Sequence, residues 1–412
     1  MNCVVDAYTA SMSEKFAIIG CGIIGLSLGI ELKKSHPNCS VTIFEKEVSV
    51  GQHASGRNSG VLHAGFYYSP DSLKAKFCKD GNQELKLLHK RHDLKLKNCG
   101  KVVVATNLED SKDLTILFNN GLKNGVDVEL LDESKLSDFE PMAKTFGKFL
   151  WSPTTAVGQP KEVLLALLSD FLEIGGKVEF NSKVELEIKA EEVLLRASNE
   201  SRNFDHIYNV AGTYADKLAR GVGVGERYAC LPFRGNYWVS TSNQNSWPSR
   251  LIYPVPHRIN PFLGVHLTLT NLGQLKIGPT ALPILGREQY GFMDLLSMEK
   301  IEFPFKAYLA LIQSDEVDFV KVLKSEVPKQ FLPNILNLAS KLTSTNLKEM
   351  HWKASRPGIR AQLIDMKDGS LVKDYLVMRG RNVTHVLNAV SPGWTSAIPF
   401  ARWVVNQAGL SQ

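Results

Sequence analysis

The sequence contains few cysteines, and none of them are paired at a characteristic spacing. Six cysteines are scattered over 412 residues, and no C-x-x-C motif occurs. We therefore do not expect a disulfide scaffold or a zinc ribbon, and we expect a reducing compartment. At about 150 residues per domain, the length predicts two or three domains with sizeable cores.

Long apolar runs and a strong excess of one charge are also missing. The longest uncharged stretch near the start, Phe16 to Ile30, is shorter than the roughly 20 residues that span a bilayer. Acidic Asp6 and Glu14 argue against a signal peptide, and residues 1–11 are predicted to form a loose tail. The net charge of +6 is too small to indicate a nucleic-acid partner, although it suits an anionic membrane surface. We expect a cytoplasmic protein that makes at most peripheral contact with the inner face of a membrane.

A glycine-rich motif dominates the first sixty residues. A short apolar run ending at Ile19 predicts a buried strand, and a G-x-G-x-x-G sequence and a predicted helix follow it. A second predicted strand ends at Glu45, twenty residues after the last glycine of the motif. This strand–turn–helix–strand–acid order is typical of dinucleotide binding, because the turn and helix start accept a pyrophosphate and the acid accepts ribose hydroxyls. The predicted contacts are Gly20, Gly22, Ile23, Ile24, Gly25, Glu45 and Lys46.

The loop after the second strand distinguishes between nucleotide cofactors. Residues 51–60 are small and polar with one arginine, whereas an NAD enzyme normally continues here into its second crossover helix. Small donors and a cation favour a pyrophosphate that belongs to a long, buried flavin ligand. The alternative is an ordinary polar surface loop. The residues predicted to contact the ligand are Ser55, Arg57, Asn58, Ser59 and Gly60.

Motifs spread along the chain identify a family. The stretch from Asn58 to Tyr68 and the stretch from Phe262 to Thr268 are the most specific, and Gly358 to Gln362 and Ser391 to Pro399 extend the likeness. The sequence resembles the L-2-hydroxyglutarate dehydrogenase/oxidase branch of the FAD-dependent D-amino-acid oxidase superfamily. It departs from that branch at Val390, Gly393 and Trp394, where relatives usually carry proline and small alanines.

The resemblance implies a fold of mixed α/β and α+β class. A Rossmann-like FAD-binding domain would comprise residues 12–60, 151–225 and 355–412. It would be interleaved with an antiparallel-sheet substrate domain of the D-amino-acid oxidase type, formed by residues 61–150 and 226–354. In the FAD domain the resemblance adds Val184, Ala211 and Gly212 to the cofactor contacts. The segment that opens the last helix adds Gly393, Trp394, Thr395 and Ser396.

The resemblance also implies a site that oxidises a 2-hydroxy acid. Planar recognition of the α-carboxylate favours arginine, and Arg360 occupies the superfamily's carboxylate-binding position. Either His63 or His266 would accept the hydroxyl proton, and the choice between them stays open. Arg234, Tyr253 and Tyr67 are the remaining candidates for contact with the substrate.

Function and cofactor follow from the same resemblance. We expect FAD-dependent oxidation of L-2-hydroxyglutarate, a small 2-hydroxy-dicarboxylate, to 2-oxoglutarate, with a quinone or oxygen as electron acceptor. No cysteine follows Cys230, which excludes a C-terminal cysteinyl–flavin bond, so FAD should be non-covalent, and no metal is expected. The alternatives are an FAD-dependent oxidase of glycine, sarcosine or a D-amino acid, and a flavin-containing binding module without turnover.

Overall fold

The structure, a computed structural model, describes residues 13–242, 247–256, 264–291, 294, 305–314 and 318–407. The predicted tail, residues 1–11, and the start of the motif at Phe262 lie outside the described residues. Strands and helices are numbered in chain order.

A six-stranded sheet forms the centre of one half of the molecule. Five neighbouring strands run parallel, and the sixth pairs antiparallel at one edge. In spatial order they are β21 (Leu376–Gly380), β22 (Val383–Asn388), β12 (His206–Asn209), β1 (Lys15–Ile19), β2 (Ser40–Phe44) and β8 (Lys177–Glu179). The central strands are almost continuously buried, as parallel strands covered on both faces require. This is the doubly wound sheet that the glycine motif predicts.

Ten helices are found in the part of the chain that is described. They are α1 (Ile23–Ser35), α2 (Leu73–Arg91), α3 (Leu108–Lys123), α4 (Leu136–Phe139), α5 (Pro160–Glu173), α6 (Ala215–Gly221), α7 (Phe305–Ile312), α8 (Phe319–Glu326), α9 (Leu332–Ala339) and α10 (Ala397–Gln407). Helix α1 is apolar on every side because it packs against α5 and α10 as well as the sheet. Its buried side chains include Leu26 and Leu28, which share one core with Ile18 and Phe400.

A larger, mostly antiparallel sheet forms the second half. In spatial order its strands are β19 (Trp352–Ala354), β14 (Trp238–Ser240), β17 (Leu275–Gly278), β16 (His266–Leu269), β15 (Leu251–Pro254), β4 (Lys101–Val104), β6 (Lys148–Ser152) and β5 (Glu129–Asp132). Only β15 and β4 pair in parallel. A separate core of Val102, Phe149, Ile252, Leu267 and Ile335 supports this sheet. The mixed α/β fold with an antiparallel second half is therefore as predicted.

Three smaller sheets complete the described structure. They are β18 (Leu282–Pro283) with β13 (Tyr228–Gly235) and β20 (Gly358–Asp365); β11 (Glu200–Arg202) with β10 (Glu192–Ala197) and β9 (Val184–Lys189); and β3 (Val61–Leu62) with β7 (Ala156–Val157). Strand β6 crosses the predicted boundary at 150/151, and β20 pairs along its whole length with β13 of the other predicted segment. The division into two domains remains a proposal. No helix among the described residues is long and apolar enough to span a bilayer.

Two buried histidines make the six-stranded sheet sensitive to acid. His206 Nε2 lies 2.8 Å from Thr384 Oγ1, and Asn209 Nδ2 donates to His385 Nδ1 at 2.9 Å. Burial lowers the pKa of each imidazole from 6.5 to about 4, with Arg379 and His385 also lowering the pKa of His206. Each histidine is therefore neutral in the folded protein over a pH range in which the unfolded chain binds a proton.

We expect the free energy of unfolding to fall as the pH is lowered from 6.5 toward 4. Each histidine should contribute a slope of about 1.4 kcal/mol per pH unit, because only the unfolded chain takes up the proton. Denaturant unfolding of the FAD-loaded protein at several pH values measures this slope. His385→Gln should flatten it, and the same change at exposed His351 should not. Equal slopes in wild type and His385→Gln would contradict the assignment.

Candidate active site

In the turn between β1 and α1, the first turn of the helix packs directly against the backbone of the residues that precede it. Gly20 has φ +109°, a conformation that side chains other than glycine rarely adopt. A Cβ at Gly25 would lie 2.0 Å from the Gly20 carbonyl oxygen, so only glycine allows the first turn of α1 to pack there. The N-cap residue, Gly22, has no side chain to cap the helix. The start of α1 therefore offers backbone N–H groups and the positive end of the helix dipole to an anion.

Glu45 lies beside this turn because β1 and β2 run parallel and in register. The pairing of Ile19 with Phe44 brings the carboxyl ends of both strands to one edge of the sheet. Glu45 Oε2 accepts a hydrogen bond from the Cys21 N–H at 2.9 Å, and Oε1 accepts one from the Glu47 N–H at 3.0 Å. The carboxylate is thereby held where a ribose would follow a pyrophosphate bound at α1.

The loop of residues 51–60 closes over the start of α1. Ser55 Oγ accepts a hydrogen bond from the Ile23 N–H at 3.1 Å, which fixes the loop against the helix. Arg57 donates to the carbonyls of Gln52 and Pro357, and its guanidinium lies 4.0 Å from the centre of the Tyr290 ring. Arg57 thus ties the loop to the segment that precedes β20, in addition to supplying positive charge.

Lys46 participates in a cluster of charged side chains next to this loop. Its ammonium forms ion pairs with Glu47 and, at 2.6 Å, with Glu288, and it lies 2.9 Å from His53 Nε2. Glu47, His53 and Glu288 have donor atoms close enough to one another to hold a metal ion. The Lys46 ammonium already pairs with both carboxylates of this cluster, so the arrangement gives no reason to invoke a metal.

A long cavity runs from the start of α1 to the β13–β20 sheet. Three walls line it: the glycine turn with the 51–60 loop, the segment that precedes α10, and residues of the second half of the molecule. The predicted residues on its surface are Gly22, Ile23, Ile24, Gly25, Ser55, Arg57, Asn58, Ser59, His63, Gly212, Arg360, Gly393, Trp394 and Thr395. The cavity thus joins the predicted nucleotide site to the predicted substrate site.

Several predicted residues do not line this cavity. They are Gly20, Glu45, Lys46, Gly60, Tyr67, Val184, Ala211, Arg234, Tyr253, His266 and Ser396. Gly20 is part of the turn itself, Glu45 accepts a hydrogen bond from its Cys21 N–H, and Val184 lies in the core next to β1 and β2. In the antiparallel pairing of β13 with β20, Arg234 lies opposite Ile359 on the neighbouring strand, and Arg360 lies opposite Phe233. Since alternate residues of a strand point to opposite faces, the Arg234 and Arg360 side chains leave the sheet on opposite sides.

The wall before α10 is tied to β3 and to His63, which follows that strand. The Thr395 hydroxyl accepts a hydrogen bond from the His63 N–H and donates one to the Val61 carbonyl, both at 3.2 Å. Gly81 of α2 packs so closely against this wall that a Cβ would lie 2.1 Å from the Thr395 carbonyl oxygen. Helix α10 begins immediately afterwards, at Ala397, so the wall lies at its N-terminus.

Arg360 and His63 both line the cavity. Burial lowers the pKa of the Arg360 guanidinium from an ordinary value so high that the group stays cationic. Burial, Lys101, His266 and Arg360, in that order, hold the pKa of His63 well below 6.5. His63 is therefore a neutral imidazole at neutral pH, and its Nδ1 has no hydrogen-bond partner among the described residues.

His266 and Tyr253 stack directly behind this end of the cavity. Their ring centres lie 3.8 Å apart with an angle of 17° between planes, and both side chains are buried. His266 Nδ1 lies 2.8 Å from the Gly264 carbonyl, which assigns the ring proton to Nδ1 and leaves Nε2 as an acceptor. Burial lowers the pKa of His266 to about 3, despite that hydrogen bond, so this imidazole is also neutral.

Two residues of this region were not identified from the sequence as site residues. Tyr237 lines the cavity. Burial raises the pKa of its phenol to about 12, although Arg360 and a hydrogen bond with Ser59 act in the opposite direction. Lys101 is fully buried beside Tyr253 and acts on the pKa values of both histidines. In the sequence, Lys101 ends the stretch from Asn98 to Lys101, which is part of the family resemblance, and it begins the apolar strand β4.

The residues present fit FAD. The uncapped start of α1, the Glu45 carboxylate and the 51–60 loop supply the contacts that a pyrophosphate and a ribose require. The N-terminus of α10 offers a partial positive charge to the flavin end of such a ligand. Trp394 Nε1, a buried donor without a partner among the described residues, faces the same cavity.

Fold and site together define a flavin-dependent oxidoreductase. The family described as "FAD dependent oxidoreductase" matches residues 15–407, and the chain belongs to it. L-2-hydroxyglutarate dehydrogenase of Salmonella houtenae is 32% identical over 95% of this chain and 92% of its own length. The Escherichia coli K12 enzyme of that name is 31% identical with the same coverage, and the human mitochondrial one is 29% identical over 97% and 89%.

Solved structures confirm the fold. L-α-glycerophosphate oxidase from Mycoplasma pneumoniae with FAD bound has a TM-score of 0.73 at 20% identity, covering 97% of this chain and 95% of its own. Glycine oxidase from Geobacillus kaustophilus has a TM-score of 0.70 at 19% identity, covering 96% and 95%. The predicted family, fold class and FAD cofactor are thus confirmed.

Glu45→Gln should weaken FAD binding by about 1–3 kcal/mol, the loss typical of a charged hydrogen-bond partner. Titration of apoprotein with FAD measures the change. Glu179→Gln, on the neighbouring strand and paired with exposed Arg202, is the control and should leave the affinity unchanged. Acid precipitation of the wild-type protein should release all of the FAD. Flavin that stays in the pellet would contradict non-covalent binding, and an unchanged affinity in Glu45→Gln would remove Glu45 from the site.

Proposed function

We propose that this protein oxidises L-2-hydroxyglutarate to 2-oxoglutarate. Bound FAD supplies the hydride acceptor, and the chain supplies binding, orientation and proton transfer. The observation that carries the proposal is an arginine and a neutral histidine that line the same cavity as the residues that fit FAD. The curated relatives of about 30% identity, named for this reaction, support the choice of substrate.

Arg360 is the proposed clamp for the α-carboxylate. It lies on β20, a strand fixed along its whole length by β13, so its guanidinium enters the cavity from a rigid support. A guanidinium binds a carboxylate through two parallel hydrogen bonds and thereby fixes the orientation of the α-carbon. Orientation of the C–H bond toward the flavin end of the cavity is the requirement for hydride transfer.

His63 is the proposed acceptor of the hydroxyl proton. It lines the cavity together with Arg360, whereas His266 lies behind it against Tyr253. The neutral state of His63 leaves it able to take a proton as the hydride departs. The cations Lys101 and Arg360 oppose its protonation, and a bound dianionic substrate would offset them and raise its pKa. We assign His266 the role of a positioning residue.

The alternative substrates are amines such as glycine, sarcosine or a D-amino acid. The structural likeness to glycine oxidase concerns the fold alone, and the relatives of higher sequence identity carry the hydroxy-acid name. Anaerobic bleaching of the flavin with hydroxy acids and with amino acids distinguishes the two readings. Failure of both classes to bleach the flavin would favour a binding module without turnover.

The electron acceptor in this proposal is a quinone or oxygen, and steady-state assays with each identify it.

Peripheral contact with an anionic membrane is part of the same proposal. The net charge of +6 is compatible with it, as are the exposed apolar side chains Phe305, Leu309 and Ile312 on α7. Tyr308 of that helix is buried in the core. Salt or alkaline washing should suffice for release from membranes.

Arg360→Lys should lower both kcat and kcat/KM on L-2-hydroxyglutarate. The charge remains but the planar fork is lost, so orientation suffers as well as affinity. We expect kcat/KM to fall at least tenfold, or about 1.4 kcal/mol of transition-state stabilisation, with normal FAD content. Arg356→Lys, in the exposed segment just before β20, is the matched control. Full FAD content with unchanged kinetics in Arg360→Lys would refute the clamp.

His63→Asn should lower kcat by about 10²–10⁴-fold, the usual contribution of a positioned base. The loss should be greatest at low and neutral pH and smaller at high pH, where hydroxide assists. Because the pKa of His63 lies well below 6.5, wild-type kcat/KM should hold its plateau to pH values below 6.5 before it falls. His266→Gln is the comparison, and a larger loss there would transfer the role of base to His266.

A further inference from the structure

Lys101 is the least compensated charge near the candidate site. It lies on β4 in the interior of the eight-stranded sheet, with none of its surface exposed. Its Nζ has no hydrogen-bond partner among the described residues. The ammonium lies 4.2 Å from the ring centre of Tyr253, 5.0 Å from that of Tyr67 and 5.4 Å from that of Phe66. Aromatic faces offset part of the free-energy cost of desolvating a cation, but they do not replace hydrogen-bond acceptors.

A lysine in this environment is costly for the folded protein. Lysines are almost never fully buried unless they are paired, because the ammonium loses its hydration. Burial lowers the pKa of Lys101 from 10.5 to about 7, and the groups that oppose this are two thiols, Cys78 and Cys99, rather than a carboxylate. Such a penalty is expected where a ligand, and not the protein, completes the pairing.

The strand registers place Lys101 on the same sheet face as Tyr253 and His266. Lys101 pairs with Leu251, so its side chain and that of Tyr253, two residues further on, leave the sheet on one side. The pairing of Ile252 with Leu267 brings His266 opposite Tyr253 on that side. Lys101 and Arg360 both act on the pKa values of His63 and His266. The two histidines thus lie within electrostatic reach of both cations.

We propose that Lys101 binds the distal carboxylate of a dicarboxylate substrate, while Arg360 binds the carboxylate next to the reacting carbon. The inference rests on the proposed function and deepens it, because it makes Lys101 the residue that selects dicarboxylates over monocarboxylates. Arg234, which the sequence analysis names as a candidate for contact with the substrate, projects from the opposite face of its sheet to Arg360. The Tyr67 and Tyr253 rings flank the Lys101 ammonium. All three side chains lie outside the set that lines the cavity, so the distal carboxylate would extend past the lining residues to reach Lys101.

The test compares two substrates that differ only in the distal carboxylate. Wild-type holoenzyme and Lys101→Met are assayed with L-2-hydroxyglutarate and with L-2-hydroxypentanoate. We expect the ratio of kcat/KM values, dicarboxylate over monocarboxylate, to fall at least tenfold in Lys101→Met, or about 1.4 kcal/mol of discrimination. Lys101→Arg, which keeps the charge, should retain part of the preference. Lys86→Met removes a half-buried lysine on α2 that donates to the Thr154 carbonyl, and it should leave the ratio unchanged.

A binding measurement on the oxidised holoenzyme avoids dependence on turnover. Glutarate and pentanoate are titrated against the flavin absorbance spectrum. Lys101→Met should weaken glutarate at least tenfold, leave pentanoate unchanged, and keep normal FAD content and an equal or higher unfolding temperature. Higher stability is expected because an unpaired buried ammonium is replaced by an apolar side chain of similar length.

The outcomes separate this inference from the proposed function. If wild-type flavin is reduced by amino acids but not by L-2-hydroxyglutarate, the proposed function fails. If L-2-hydroxyglutarate reduces it and Lys101→Met loses activity equally on both hydroxy acids, Lys101 acts as a base or a structural residue, and the inference is overturned. Loss of the preference in Lys276→Met instead would assign the carboxylate to the other buried lysine of this sheet and would also overturn it.

Discussion

The close passage of α1 over its own preceding turn is the constraint on which the rest of the structure depends. Gly25 lies so near the Gly20 carbonyl that no side chain fits, and this contact fixes the angle at which the helix leaves β1. The in-register parallel pairing of β1 with β2 then brings Glu45 to the same edge of the sheet. The nucleotide end of the cavity therefore follows from local backbone geometry, and the other walls are built around it.

The other end of the cavity depends on contacts between segments far apart in sequence. Thr395 bonds to the backbone at Val61 and His63, and the close packing of Gly81 brings α2 against the same wall. Arg57 ties the loop over α1 to the Pro357 carbonyl, just before the strand that carries Arg360. These few hydrogen bonds set the distance between the cofactor end and the substrate end. A rigid separation is what hydride transfer needs, since reaction rates are sensitive to misplacement of the reacting atoms.

Burial is the main electrostatic influence on the substrate end. It keeps His63 and His266 neutral and lowers the pKa of Lys101, and the cations reinforce its effect on both imidazoles. A site of this kind is unfavourable for the unliganded protein and favourable for an anion, because the same low-dielectric surroundings strengthen the attraction to a carboxylate. The folded protein is less stable because of these buried groups, and in exchange the site binds a charged ligand more tightly. This trade-off is common at functional sites.

The sequence alone determined the parallel sheet and the flavin cofactor, because glycine spacing, short apolar strands and local motifs encode these features in contiguous residues. The family-like motifs also nominated His63 and Arg360 as candidates. Only the tertiary structure decided which candidates share a cavity. The pairing of β13 with β20 puts the Arg234 and Arg360 side chains on opposite faces of the sheet. A lysine at the start of an apolar strand gives no local sign that its ammonium lies among Tyr253, Tyr67 and the histidines. Side-chain direction and burial arise from pairing between strands distant in sequence, and no local pattern specifies that pairing.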